Sequence, residues 1–177
     1  LNGAGKSTLL RVLLGMLRPH AGEVLLGGRP LSDAPPSAWT HVGHLIDGPL
    51  AYADLSVSTN LAIAARLHGI ARRDIAPSVQ RALAELDIAR YATVRARRLS
   101  LGNRQRLGLA AAVVHDPTLI VLDEPSNALD PAGLLALRGS LQRRAAAGAG
   151  VLVSSHHLDE VARIADRVTL MNAGRVI

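Results

Sequence analysis

The chain has 177 residues, 49% of them hydrophobic, which is long enough for one domain with a true core. Aromatics make up only 2%, so that core has to be built from Leu, Val, Ile and Ala, and the absence of cysteine excludes disulfides and thiolate zinc sites. The net charge of +6 comes mainly from arginine. Such a balance suits either an anionic partner or an arginine-rich solvated surface, and we take the second reading, with no nucleic acid expected. No apolar run approaches the roughly 20 residues that span a bilayer.

In chain order, Leu9, Leu10, Leu13, Leu14 and Leu17 recur at helical spacing and predict a helix over 6–17, ended by Pro19. Short strands are expected at 23–26 and 42–46, separated by the turn-rich Gly27-Gly28-Arg29-Pro30, and Pro35-Pro36 marks a loop. From residue 57 to about 114 the pattern is mostly helical, with helices predicted over 59–68, 77–86 and 104–114. The apolar run at 118–122 suits a strand buried on both faces of a parallel sheet. Asp130-Pro131 offers an N-cap followed by proline at the first helical position, and Gly148 a stop. A strand at 151–154, a helix at 157–164 and a last strand at 167–171 complete the reading. No internal repeat is present. Strands alternating with helices, and a helical insert near the middle, define an α/β class.

Three groups of residues carry chemistry. Asn2, Gly3, Ala4, Gly5, Lys6, Ser7 and Thr8 read as a phosphate-binding loop running into a helix. Glycines let successive backbone N–H groups point at an anion, and the helix N-terminus adds its positive end. Lys6 would reach the β- and γ-phosphates, the Ser7 hydroxyl would bind Mg²⁺, and Thr8 would contact the α- or β-phosphate. The full pattern needs a glycine one position before Leu1, so the chain is expected to begin inside its own site and to be incomplete at both ends. Second, the strand ending in Asp123-Glu124 delivers a magnesium-coordinating acid beside a potential base for water. Third, His156 follows another apolar strand, where an imidazole can hydrogen-bond a γ-phosphate. His157 beside it is assigned no role.

Lys6, Asp123-Glu124 and His156, taken with Leu99-Ser100-Leu101-Gly102-Asn103, resemble ABC-type ATPases, the nucleotide-binding subunits of ABC transporters. The resemblance covers essentially the whole chain. It implies a P-loop NTPase fold with a mostly parallel core sheet, a small antiparallel β portion and a helical subdomain at about 57–114, all within one domain over 1–177. Leu99–Asn103 matches the family's signature motif, commonly LSGGQ, with Leu101 replacing the first glycine and Asn103 the glutamine. Ser100 and Gly102, expected to touch the γ-phosphate, are kept, and Ser126-Asn127-Ala128-Leu129-Asp130 is similar to the D-loop.

The resemblance further implies ATP and Mg²⁺ as cofactors, and a signature serine acting on ATP held by a second, head-to-tail ATPase subunit. It implies a membrane-spanning permease partner and a place on the cytoplasmic face of the cell membrane. Asp47 stands where the family's Q-loop glutamine contacts Mg²⁺. A carboxylate there keeps oxygen ligation but adds charge. This acidic position, Gly48-Pro49 and the Ser-Leu-Gly signature are similar to bacitracin- and lantibiotic-type export ATPases. The function implied is ATP hydrolysis driving export of a drug, peptide or lipid-like substrate. The competing reading is an ABC-F-type ribosome-associated ATPase, for which basic charge would be natural. A nucleotide-binding module without turnover is a third, permitted by the departures at Asp47, Leu101 and Asn103.

Overall fold

The computed structural model describes residues 3–157 and 162–177. Helix α1 (Lys6–Leu13) turns Leu10 inward which, with Leu14 just beyond it, packs against Val42, Ile46 and Val121. The leucine spacing predicts a helix continuing to residue 17, but α1 ends sooner. Gly15 takes φ +69°, and the amide of Met16 folds back onto the Arg11 carbonyl at 2.8 Å. A left-handed glycine satisfies the last helical carbonyls before Pro19 is reached.

The first expected strand shortens to β1 (Leu25–Leu26), paired antiparallel with β2 (Arg29–Pro30). Gly27 and Gly28 between them both have positive φ, as a tight two-residue hairpin requires. Strand β3 (Val42–Leu45) then leads into α2 (Val57–Leu67), α3 (Arg72–Glu85) and α4 (Leu101–Val113). After these come β4 (Leu119–Asp123), α5 (Pro131–Ala146) and β5 (Gly150–Ser154).

Most boundaries follow from caps. The Ser56 hydroxyl accepts from the Thr59 amide to open α2, and Asp130 opens α5 as expected, with Pro131 in its first turn. Helix α3 departs from expectation: it begins at Arg72, which leaves Pro77 inside it rather than at its start. Asp74 in the first turn favours the early start. Ser78, Val79, Ala82 and Leu83 are buried along the helix, and their packing offsets the hydrogen bond that Pro77 cannot donate.

The central sheet has three parallel strands in the order β3-β4-β5. Its register sets Leu45 beside Leu122, and Asp123 beside Ser154. Ile120, Val121 and Leu122 of the middle strand are all buried, as their unbroken apolar run requires. Helix α4 approaches β3 at backbone distance. A Cβ on Gly43 would lie 1.9 Å from the Ala112 carbonyl oxygen, and one on Gly108 would lie 2.6 Å from Pro49. One apolar cluster joins Leu61, Leu83, Leu107 and Leu109 of α2–α4 to Ile120 and Leu122 of β4. Each such side chain contributes about 1.5–3 kcal/mol through burial. Arg144 of α5 reaches Glu85 at the end of α3 at 2.8 Å, and the Ser140 hydroxyl donates to the same carboxylate at 2.5 Å.

The strand expected at 167–171 is replaced by a hairpin, β6 (Met171–Asn172) with β7 (Arg175–Val176). Ala173 and Gly174, both at positive φ, fold the chain so that pairing starts only at Met171. Half of the helix expected at 157–164 falls on 158–161, outside the described residues, and the described 162–164 form a turn. The observed α/β architecture, a parallel sheet with helices and two short antiparallel hairpins, is the class expected.

Candidate functional site

The loop before α1 is shaped by Gly3 at φ +82° and Gly5 at φ +96°. Gly5 stands at the helix N-cap with no side-chain hydrogen bond capping it among the described residues. The first turn of α1 therefore presents backbone amides, those of Ser7 and Thr8 among them, in the geometry that suits an anion, with the helix dipole behind them. Ala4 is buried, and its carbonyl accepts from the Gly174 amide at 3.0 Å. The β6–β7 turn thus props the loop from beneath, a support that no sequence signal announced. Asn2 lies outside the described residues.

Strand β4 brings Asp123 and Glu124 to the same end of the sheet. Ser154, one strand over, holds both. Its hydroxyl donates to Asp123 Oδ1 and accepts from the Glu124 amide at 3.0 Å, while its carbonyl accepts from that amide at 3.1 Å. Glu124 has φ +47°, a left-handed turn that swings its side chain off the strand direction. One carboxylate oxygen lies 3.7 Å from Lys6 Nζ. The other lies 2.7 Å from His156 Nδ1 and accepts from the His156 amide at 3.3 Å. Lys6, Glu124 and His156, distant in sequence, form one cluster. The His157 ring lies tilted against His156, with centroids 3.9 Å apart. Ser154 is the member that sequence reasoning missed. Its position, one strand over and in register with Asp123, is the signal that could have found it.

Asp47 follows β3 with φ +62°. Arg11 Nε donates to its Oδ2 at 3.0 Å, and Arg11 Nη2 donates to Oδ1. That two-point hydrogen bond holds the Asp47 carboxyl below the usual carboxylate range.

The signature residues make a different set of contacts. The Ser100 hydroxyl accepts from the Asn103 amide at 3.3 Å and caps α4. Leu101, in place of glycine, is exposed, and Gly102 packs against the carbonyl of Ala128. Gln105 donates to the Pro125 carbonyl at 3.1 Å. Arg106, only 3% exposed, donates to Asp87 Oδ2 at 2.8 Å and to Asp130 Oδ1. Asp130 also accepts from the Gly133 amide at 3.0 Å, so its oxygen is shared between the helix cap and Arg106.

The chemistry of these residues fits a nucleoside triphosphate: a glycine-shaped helix start and a lysine suit phosphate, and Ser7, Asp123 and Asp47 are oxygen donors of the kind Mg²⁺ takes. No group of three His, Cys, Asp or Glu among the described residues is arranged to hold a metal by itself. A divalent cation would complete its shell from hydroxyl, water and phosphate oxygens, which is how Mg²⁺ is usually held beside a nucleotide. The fold and site together define a P-loop type of nucleotide-binding protein.

The comparisons with known proteins narrow the class. A model of the family described as "ABC transporter" matches residues 1–127, and the chain belongs to that family. The chain is 32% identical to the bacitracin transport ATP-binding protein BcrA of Bacillus licheniformis, covering 99% of this chain and 57% of BcrA. It is also 32% identical to the lantibiotic transport ATP-binding protein SrtF of Streptococcus pyogenes, covering 99% of this chain and 74% of SrtF. A solved ATP-binding subunit of an ABC transporter superposes with a TM-score of 0.90 at 30% identity, over 99% of this chain and 73% of that one. The chain spans about half the length of several curated relatives it matches, BcrA among them. No helix among the described residues is long and apolar enough to cross a membrane.

Proposed function

We propose that the chain is the ATP-hydrolysing part of an export transporter, with Glu124 acting on the attacking water. The observation that carries this reading is the position of Glu124 at the end of β4, between Lys6 and His156. Backbone amides of Gly3, Ala4, Gly5, Lys6, Ser7 and Thr8, together with Asn2, cradle the phosphates, and the Lys6 ammonium faces the β- and γ-phosphoryl oxygens. Ser7, Asp123 and Asp47 would hold Mg²⁺, which when bound would neutralise charge on the phosphates. Glu124 accepts a proton from water as it attacks the terminal phosphorus, and ADP leaves in line. His156 bonds the γ-phosphate and steadies the Glu124 carboxylate. Ser154 keeps both acids aimed.

Ser100 and Gly102 serve a second anion site, completed when another ATPase subunit docks head-to-tail. Asp130 lies at the same face. Helices α2–α4, about 57–114, form a helical subdomain that meets a separate membrane-spanning permease at the cytoplasmic face of the membrane. ATP-driven closure and release of the two subunits is the two-state element that moves the cargo. The names of BcrA and SrtF support an antibiotic- or peptide-like cargo. No observation favours the ribosome-associated alternative.

The test is Glu124→Gln. Turnover should fall about 100-fold or more, with ATP affinity kept. Unchanged steady-state phosphate release would remove Glu124 from the base role.

A further inference from the structure

Arg11 is the residue whose place the nucleotide reading does not explain. It lies four residues after Ser7 on α1, hence on the same helical face as the serine hydroxyl assigned to the metal. Its guanidinium binds both oxygens of Asp47, a second residue assigned to the metal. Asp123, the third, attracts the guanidinium through space. Two candidate metal carboxylates, Asp47 after β3 and Asp123 at the end of β4, thus lie within the field of one monovalent cation carried on the helix that also bears Ser7. An arginine fork takes a carboxylate at two points and fixes its plane, which a lone ammonium does not do.

We infer that Arg11 is a positioning residue for the metal site, holding the Asp47 carboxylate in place when no metal is bound and contesting it with the metal when one arrives. This rests on the reading of Asp47 as a magnesium contact. The carboxylate has lone pairs enough for both partners, but the two positive charges repel. Metal entry weakens the Arg11 contact, and the Arg11 contact raises the metal concentration needed. The same competition links the Q-loop position to the phosphate-binding helix. Asp47 is anchored to α1 before metal binds and turned toward the phosphates afterwards.

The experiment titrates Mg²⁺ into the full chain at a fixed concentration of a fluorescent, non-hydrolysable ATP analogue, and reads the midpoint for metal-dependent binding. Both residues are partly exposed, so Arg11→Gln should keep the fold, and Arg11→Lys provides a second, milder variant. Arg11→Gln should lower the Mg²⁺ midpoint about two- to fivefold, the range expected for an exposed ion pair. Arg11→Lys should lie between it and the unaltered chain. In an Asp47→Asn background, Arg11→Gln should produce no further shift. An unchanged midpoint in Arg11→Gln, or an equal shift with Asp47→Asn present, overturns the inference while leaving nucleotide binding intact. A midpoint unmoved by Asp47→Asn alone overturns the metal role of Asp47, and the inference with it.

Discussion

Gly102 at the start of α4 abuts the backbone of Ala128 so closely that a Cβ added to it would lie 2.6 Å from the Ala128 carbonyl oxygen. The obstacle is main chain, held at φ +64° in a turn tied down by Asp130, and it cannot step aside as a side-chain tip would.

Gly102→Ala should therefore cost about 1–3 kcal/mol, the range for forcing volume into a closed contact. Gly139 provides the contrast. Its added Cβ would meet only the end of the Arg143 side chain, at 3.0 Å, within the interior of α5. Gly139→Ala should be neutral or stabilising by up to about 1 kcal/mol. Urea midpoints of the two variants decide the matter, and equal losses would show that backbone proximity at Gly102 is not the cause.

Ser154→Ala removes a donor from Asp123 and an acceptor from the Glu124 amide. That amide keeps the Ser154 carbonyl, so the stability loss should stay near 1–2 kcal/mol. Steady-state turnover should drop more than ATP affinity, because both acids lose their aim. A variant with normal turnover would leave Ser154 a purely structural bond.

Lys6→Ala should weaken ATP binding about 10- to 100-fold, the loss expected for a charged hydrogen bond to phosphate. The thermal midpoint without nucleotide should barely move. Isothermal titration with a non-hydrolysable analogue reads the first quantity and calorimetric melting the second.

His115 is buried and stacked on His68, with ring centroids 3.7 Å apart and planes within 3°. Burial, reinforced by His68, pushes the His115 pKa down from 6.5 to about 4. The folded state thus prefers the neutral ring, so its full stability is present above pH 6.5 and is lost progressively as pH falls toward 4. Allowing for solvent screening, the loss should be about 1–3 kcal/mol. Urea midpoints at neutral and mildly acidic pH should diverge less in His115→Phe than in the unaltered chain. Equal acid sensitivity would place the titrating groups elsewhere.

The elements easiest to read in the sequence are those whose determinants are local. The buried β4 run, the Asp130-Pro131 helix start and the glycine loop before α1 each carry their physics in adjacent residues. Structure departs from local sequence where a distant or competing term prevails. Pro77 alone predicts a helix start, but burial of Val79 and Leu83 carries the helix through it. Pro19 predicts the stop for α1, but Gly15 at positive φ ends the helix first. Within the site, Lys6, Asp123, Glu124 and His156 could be named from motifs alone. Ser154 and Arg11 could not, because their partners are set by strand register and by helix placement rather than by neighbours in the chain.

Arg106 grips Asp87, just past the end of α3, with one arm of its guanidinium and Asp130, at the start of α5, with another. The planar group is stiff and shielded from water, so the two carboxylates behave as the ends of a crossbar mounted on α4. Tilting that helix against the sheet would drag the turn between Glu124 and Asp130 along with it. A push on one end of α2–α4 would thereby reach the turn that follows Glu124 through a single rigid side chain.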